Sequence, residues 1–106
     1  MAKYLFEASY TSTGAKGLMS EGGSSRRQQI DNMLNTMGGK LEILYFAFGN
    51  NDVYAIADVP DNVTAAAVSM AVNASGAVNA KIVVLLTPEE LDEASKKSVS
   101  YRAPGA

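Results

Sequence analysis

Hydrophobic residues along the chain are grouped into four runs that are typical of β-strands. These predicted strands cover residues 3–10, 41–48, 53–59 and 78–86. The first run places Tyr4, Phe6 and Tyr10 on one parity, which is the alternation of a strand rather than the period of a helix. Residues 49–52, between the second and third runs, contain Gly and Asn, which tolerate a tight turn. These two strands are therefore predicted to form a hairpin, and Pro60 ends the second of them.

Two segments between the strands have apolar residues at helical spacing. The first helix is predicted to begin at Ser25, with Gln28 completing a capping box, and to end at Gly38. The second is predicted to begin with a cap at Asp61 or Asn62. The apolar stripes of the two helices are Ile30, Met33, Leu34 and Met37 in the first and Val63, Ala66, Ala67, Met70 and Ala74 in the second.

Two further segments lie outside this alternation of strands and helices. Residues 11–23 are rich in Gly, Ser and Thr and are predicted to form a loop with at most one helical turn. Residues 87–90 combine a Thr cap, a Pro at the first helical position and a Glu at the third. They predict a short polar helix that ends near Lys97 and is followed by a loose tail.

The resulting order of elements is βαββαβ, a duplicated βαβ pattern. A chain of this kind most often folds as a ferredoxin-like antiparallel sheet with both helices on one face. With 106 residues, the chain is long enough for one modest core and too short for two. We therefore expect a single α+β domain over residues 1–106.

Both faces of the predicted sheet are apolar, whereas a sheet with water on one side alternates apolar and polar residues. The face predicted to meet the helices contains Tyr4, Phe6, Ala8, Tyr45, Ala47, Val53, Ala55, Ala57, Ile82, Val84 and Leu86. The opposite face contains Leu5, Leu44, Phe46, Phe48, Tyr54, Ile56, Val83 and Leu85, with the charged residues Glu7, Glu42, Asp58 and Lys81. Two helices cannot cover both faces, so we expect a second copy of the chain to cover the other one.

An alternative is that the first connection and the carboxy-terminal tail cover this second face, because long loops sometimes cover sheets. Within the face, Glu7 and Lys81 are expected to lie opposite each other on neighbouring strands, where their charges can pair.

The composition argues against several classes of function. Nine Lys and Arg against 11 Asp and Glu give a net charge of −2, and the basic residues are scattered, so no nucleic-acid partner is expected. The chain contains no Cys and no His, so we predict no disulfide, no metal site and no cofactor. The amino terminus has no charged segment followed by a long apolar stretch. We therefore predict a cytoplasmic protein without a membrane partner.

Several segments of the chain resemble the GYD-domain family. They are residues 3–11, Gly17-Leu18, Gly22-Gly23 with Arg26, and residues 38–41, 46–54 and 85–90. The Gly-Tyr-Asp signature of the family falls on Gly49, Asn51 and Asp52, so that Asn replaces the Tyr. The resemblance implies the fold of a dimeric α/β barrel and implies no established activity.

Three candidates for a ligand site lie in predicted turns, loops or helices. Asp52 could act as a general base or bind a ligand, although such an Asp more often stabilises its turn. Arg27, with Arg26 beside it, could hold an anion near a helix start, although a solvated helix face is the commoner explanation. Lys16 lies in the Gly-rich first connection, which could form a mobile lid over a pocket.

Three further candidates lie in predicted strands. Tyr4 and Tyr54 could line an aromatic pocket with their hydroxyls, although core packing explains most aromatic residues in strands. Lys81 is a charge inside a strongly apolar strand. If it is buried and unpaired it could act as a base or a nucleophile, whereas a salt bridge at a dimer interface is the commoner role.

Three functions agree with these features. The first is a homodimeric module that binds a small ligand in a pocket between sheet and helices. The second is a cofactor-free enzyme that acts on a small aromatic or oxygenated metabolite through Tyr, Lys, Asp or Arg. The third is a structural oligomerisation module, which predicts a filled core where the other two predict a pocket.

Overall fold

The computed structural model describes residues 2–106 and contains a four-stranded antiparallel sheet with helices packed on one face. In chain order the elements are β1 (Ala2–Tyr10), α1 (Ser12–Glu21), α2 (Gly23–Thr36), β2 (Lys40–Phe46), β3 (Val53–Val59), α3 (Asn62–Ala74), β4 (Val78–Leu85) and α4 (Pro88–Ser95). The strand order is β2-β3-β1-β4, and every neighbouring pair is antiparallel. This arrangement confirms the predicted ferredoxin-like α+β fold.

Several predicted helix boundaries are confirmed by local hydrogen bonds. Asp61 caps α3, because its Oδ1 accepts a 2.8 Å hydrogen bond from the N–H of Thr64. This bond is the main reason why the pKa of Asp61 is lowered, since it favours the carboxylate. Thr87 and Glu90 form the predicted capping box of α4, with bonds of 2.9 and 3.1 Å. Gly38 follows α2 with φ +78°, a conformation that Gly adopts readily.

The first connection is helical, so the predicted loop over residues 11–23 is wrong. α1 begins after Thr11, whose Oγ1 accepts a 3.3 Å hydrogen bond from the N–H of Gly14. Gly14 is buried, and a Cβ at this position would lie 2.0 Å from the carbonyl oxygen of Ala77. This close backbone approach docks α1 beside the start of β4 and offsets the weak helix propensity of its Gly, Ser and Thr residues.

α2 begins two residues earlier than predicted, at Gly23. Gly22 occupies the capping position with φ +90°, and no side chain caps the helix, so the predicted cap at Ser25 is wrong. Since α1 ends at Glu21, Gly22 alone separates the two helices, and its positive φ permits the abrupt change of direction.

We call the helix-covered side of the sheet the inner face and the opposite side the outer face. After Glu42, each residue of β2 lies on the face opposite to the predicted one, because a β-bulge at Glu42 adds one residue to the strand. After the bulge, Leu44 pairs with Ala55 on the inner face and Tyr45 pairs with Tyr54 on the outer face. The predicted assignments that are wrong for this reason are those of Leu44, Tyr45 and Phe46.

α3 turns a different stripe to the sheet from the predicted one. Ala65 and Val68 are buried and Val72 is partly buried, whereas Val63 and Met70 are 78% and 72% exposed. Both stripes have helical spacing and both consist of apolar residues, so periodicity does not distinguish them. Packing against β4 decides which stripe is buried.

The core lies between the inner face and the helices α2 and α3. One buried cluster consists of Tyr4, Leu34, Ala57, Val59 and Ala65, and a second consists of Ala8, Val53 and Val78. Small residues, among them Ala8, Ala55 and Ala57, are frequent at the centre of the inner face.

We call residues 88–106 the carboxy-terminal arm. Every residue of this arm is exposed, and the radius of gyration of the chain is 16.8 Å. A compact domain of this size has a radius of gyration of about 13 Å. The arm therefore projects from the domain and leaves the outer face uncovered. α1 packs on α2 and β1, so the alternative in which these two segments cover the outer face is wrong.

Candidate functional site

A cavity of about 70 Å³ lies between the inner face of the sheet and the helices α2 and α3. On the sheet side its wall includes four alanines, which are Ala8, Ala55, Ala57 and Ala80. On the helix side Ile30, Met33 and Val68 contribute, and Arg26 and Ser69 are the polar members of the wall. Alanines at the centre of a sheet leave space that the helix side chains do not fill, although protein interiors are usually close-packed.

A wider cleft of about 380 Å³ opens to solvent beside this cavity. It lies between the helices α1, α2 and α3 and the start of β4, and its lining includes Tyr10, Leu18, Glu21 and Ala77. Four residues line both the cleft and the cavity, namely Arg26, Met33, Val72 and Val78. The two spaces are therefore adjacent and are separated by these side chains.

Arg26 lies at the boundary between the cavity and the cleft. Its side chain is partly buried, and its Nε is fully buried without a hydrogen-bond partner among the described residues. The ion pairs in residues 2–106 are both made by Lys3, so no carboxylate lies within 4.0 Å of the Arg26 guanidinium. A buried donor on a charged group without a partner costs free energy, and such groups are rare in folded proteins. Arg26 is thus the group in this region to which an acceptor on a ligand fits best.

None of the six predicted site residues lines the cavity or the cleft. Tyr4 is buried in the core, and its hydroxyl donates a 2.5 Å hydrogen bond to Oδ1 of Asn62. Lys16 is exposed on α1, and Arg27 is exposed on α2 beside a shallow surface depression. The structure does not bring these three side chains together, and their ligand roles stay predictions.

Asp52 holds the β2–β3 hairpin against the end of β1. Its Oδ2 accepts a 2.8 Å hydrogen bond from the N–H of Tyr10, and its own N–H donates to the carbonyl oxygen of Ala8 at 2.8 Å. Asn51, at the position of the signature Tyr, donates from Nδ2 to the hydroxyl of Tyr54 at 3.3 Å. These contacts agree with the turn-stabilising alternative for Asp52.

On the outer face, three rows of side chains cross all four strands of the sheet. The middle row is apolar and contains Ile43, Ile56, Leu5 and Val83. The flanking rows contain Lys40, Asp58, Lys3 and Leu85 on one side and Tyr45, Tyr54, Glu7 and Lys81 on the other. Tyr54 and Lys81 therefore lie in one row, on either side of Glu7. The predicted opposition of Glu7 and Lys81 is confirmed, although no ion pair within 4.0 Å joins them.

Ion pairs stabilise one end of the outer face. Lys3 Nζ donates to Oε2 of Glu42 at 2.6 Å and to Oδ1 of Asp58 at 3.1 Å. The hydrogen bond to Glu42, followed by the one to Asp58, raises the pKa of Lys3 because both favour its charged form. Glu42 is the bulged residue of β2, so the bulge places this carboxylate next to Lys3.

Two other kinds of site are absent from the described part of the chain. Residues 2–106 contain no group of three acidic side chains close enough to hold a metal ion. Over the same residues, no helix combines the length and the apolar character that a membrane span needs.

Arg26 lines the cavity and the cleft but is not among the six predicted site residues, which include its neighbour Arg27. Arg26 is four residues before Ile30 and seven before Met33, so it lies on the apolar stripe of α2. Arg27 is three residues before Ile30 and seven before Leu34, so helical spacing allows it to face the core as well. The packing of α2 on the sheet decides that Arg26 lines the cavity and that Arg27 is exposed.

Comparison with known proteins identifies the family. A family model described as the GYD domain matches residues 4–95, which is most of the chain. No curated protein and no solved structure shows significant similarity to it. The matched region contains all four helices and all four strands, apart from the first two residues of β1. It therefore includes Arg26 and both walls of the cavity. The chain therefore belongs to the GYD-domain family.

Proposed function

We propose that this domain is a homodimeric module that binds a small molecule between its sheet and its helices. The observation that supports binding is the unfilled space on the inner face, a cavity of about 70 Å³ next to an open cleft of about 380 Å³. Concave and mostly apolar sites with a few polar groups are the usual receptors of small ligands. A structural oligomerisation module predicts a filled core instead, so the cavity favours binding.

The dimensions of the two spaces limit the ligand. The cavity is smaller than the space of about 150 Å³ that receives benzene in an engineered protein core. The cavity therefore suits a short aliphatic group, and the rest of the ligand lies in the cleft. A molecule that fits both spaces has an apolar end and a more polar end.

The exposed outer face supports the homodimer. Ile43 and Val83 are each 41% exposed, and Tyr45 is 67% exposed. A contiguous apolar patch of this kind is unusual on a monomer. A second copy of the chain offers a matching surface, an apolar row bordered by charges of both signs. Such a self-complementary surface is what a two-fold interface requires.

The carboxy-terminal arm also supports a second copy as the partner. Its apolar side chains are exposed, with Leu91 at 61%, Val99 at 78% and Tyr101 at 76%. Within the described residues α4 packs extensively on no other helix or strand, and every residue of the arm is exposed, so these side chains are not part of the core of the monomer. Contact of the arm with the partner would bury them.

A cavity-filling variant tests ligand binding. Ala55→Leu enlarges a buried side chain that lines the cavity, and Ala67→Leu makes the same change on the exposed side of α3. The probes are 3-methylbutanol, 4-methylpentanamide and 4-methylpentanoate. Their binding is measured by the changes in chemical shift of the backbone amides. We expect at least one probe to perturb the inner-face amides of the unmodified protein and of Ala67→Leu, and not those of Ala55→Leu.

A second variant with a smaller increase in side-chain volume keeps the test possible if the first one misfolds. If Ala55→Leu does not fold, Ala80→Val narrows the same cavity with a smaller change of volume. The binding proposal is overturned if no probe perturbs the inner-face amides of the unmodified protein, or if the filled cavity binds as well as the open one.

Light scattering tests the homodimer. We expect the full chain to have twice the monomer mass at micromolar concentration. A chain lacking residues 88–106 should form a weaker dimer, which dissociates at concentrations where the dimer of the full chain is still intact. A monomer mass for the full chain would reject the dimer and leave the binding proposal unaffected, because cavity and cleft both lie within one chain.

A further inference from the structure

We infer that the ligand is a monocarboxylic acid whose carboxylate is bound by Arg26, a ligand class that rests on the proposed binding function. The observation that carries it is the buried Nε of Arg26, which has no hydrogen-bond partner in residues 2–106. A guanidinium presents its donors in a planar fork that matches the two oxygens of a carboxylate. The group that Arg26 lacks is therefore an anionic acceptor.

The position of Arg26 agrees with the amphiphilic ligand that the two spaces favour. Arg26 lines the cavity and the cleft, so a ligand whose aliphatic end fills the cavity passes the guanidinium before it reaches the cleft. A carboxylate on a short branched chain meets the Nε–H of Arg26 while its apolar end contacts Ile30 and Leu44. The carboxylate then satisfies the buried donor.

The charges around the two spaces favour one negative charge on the ligand rather than two. Among the described residues, Arg26 is the only Lys or Arg that lines either space, and Glu21 lines the cleft. A phosphate dianion would face a single cation and a carboxylate of the same sign. A monocarboxylate matches the single charge of Arg26, and Glu21 or Tyr10 remains free to bond a hydroxyl or amine on the part of the ligand in the cleft.

The location of Arg26 in α2 adds a second reason for an anion. The residue lies near the amino-terminal end of the helix, which carries a partial positive charge. A cation at this end without a counter-ion is unfavourable, and no acidic side chain of the described chain pairs with it. A bound carboxylate would offset both the helix charge and the unpartnered guanidinium.

Paired probes that differ only in charge test this inference on the full chain. They are 4-methylpentanoate, its neutral amide 4-methylpentanamide, and 4-methylpentylamine. The readouts are the dissociation constant and the side-chain Nε–H resonance of Arg26, assigned by its loss in Arg26→Lys. We expect the acid to bind more tightly than the amide by a factor of about ten or more and to shift the Nε–H resonance. We expect the amine not to bind.

Matched variants separate a specific contact from general attraction to a cation. We expect Arg26→Gln to remove the preference for the acid, so that the acid and the amide bind with similar affinity. Arg27→Gln removes a neighbouring exposed cation and should leave the binding of every probe unchanged. Glu21→Gln should leave the preference intact or increase it, because it removes a negative charge from the cleft.

The outcomes that overturn the carboxylate inference differ from those that overturn ligand binding. If the amide binds as tightly as the acid, or if Arg26→Gln keeps the preference, the cavity binds ligands but Arg26 does not select their charge. If the Nε–H resonance responds to Glu21→Gln and to none of the probes, an internal pair satisfies Arg26 and the inference fails. If no probe of any charge binds, the proposed function fails as well.

Discussion

The two faces of the sheet are built from different side chains, although they alternate along the same four strands. The inner face is covered by helices and carries alanines at its centre, so it encloses unfilled space. The outer face carries large apolar and aromatic side chains that remain exposed. The inner face also buries large side chains such as Tyr4, so the two faces differ in the unfilled space beside the alanines and in the exposure of the outer side chains. This difference is the basis for proposing a ligand site on the inner face and a dimer interface on the outer face.

The largest difference between the faces should appear when a large side chain is truncated on each. Leu34 packs on the inner face and is 2% exposed, whereas Ile43 on the outer face is 41% exposed. We expect Leu34→Ala to lower the free energy of unfolding by about 2–5 kcal/mol and Ile43→Ala to lower it by less than half as much. Urea unfolding at a concentration where the chain is monomeric measures both. Equal losses would show that the outer face is as well packed as the inner one.

A charge placed on the outer face should act on assembly rather than on folding. Ile43→Lys puts a cation in the apolar row that the proposed interface buries. We expect the dimer to be lost while the monomer unfolds within about 0.5 kcal/mol of the unmodified chain, because the site is at the surface of the monomer. Val63→Lys is the matched control, since Val63 is 78% exposed on α3. If both variants remain dimeric, the outer face is not the interface.

The outer face should lose stability at alkaline pH through Lys3. Because the hydrogen bonds to Glu42 and Asp58 raise the pKa of Lys3 above 10.5, its contribution is fully present below that value. The contribution is lost as the pH rises through the raised pKa of the folded state. We expect the Tm advantage of the unmodified chain over Lys3→Met to shrink over this range. Lys40→Met, which removes a lysine that makes no ion pair in residues 2–106, is the matched control for the loss of a surface cation.

On the inner face, helix α3 should lose stability at acidic pH through Asp61. We expect this effect to be the smallest of the four predicted effects. The pKa of Asp61 is lowered below 3.8, so the stability it gives α3 is present above that value and is lost as the pH falls through the lowered pKa. Asn also caps helices but does not titrate. We expect Asp61→Asn to have a Tm slightly below that of the unmodified chain at neutral pH and equal to it in acid. If the Tm difference between Asp61→Asn and the unmodified chain is the same at neutral and at acidic pH, the capping carboxylate of Asp61 is not its source.

Much of the fold was predictable because its signals are local. The strand alternation, the cap at Asp61, the capping box of Thr87 and Glu90 and the end of α2 at Gly38 each depend on residues within a few positions of one another. The order of these elements then implies the ferredoxin-like sheet, because the possible connections between them are few. The GYD-domain match over residues 4–95 agrees with that fold.

The wrong predictions share a different origin, which is contact between distant segments. α1 forms although its sequence is poor in helix formers, because Gly14 docks against the backbone of Ala77. The bulge at Glu42 reverses the faces of β2, and the carboxylate of this residue pairs with Lys3, 39 residues away. Neither contact leaves a local pattern that a sequence shows.

The candidate site was predicted only in its general place. A pocket between sheet and helices was expected, but the six proposed residues lie elsewhere, and the cavity is lined instead by alanines and by Arg26. The side chain of alanine carries no functional group, so alanines in a sequence do not predict a binding site. Arg26 differs from Arg27 only in its position on the helix, which matters once the sheet defines an inside.

The sequence by itself determined the strands, the helix caps at Asp61 and Thr87 and the excess of apolar surface that one sheet with two helices cannot cover. The tertiary structure alone decided which stripe of α3 is buried, which way β2 faces and which arginine reaches the interior. The physical reason is distance. Hydrogen bonding and periodicity act within a turn or a strand, whereas burial depends on which surfaces meet after the chain has folded.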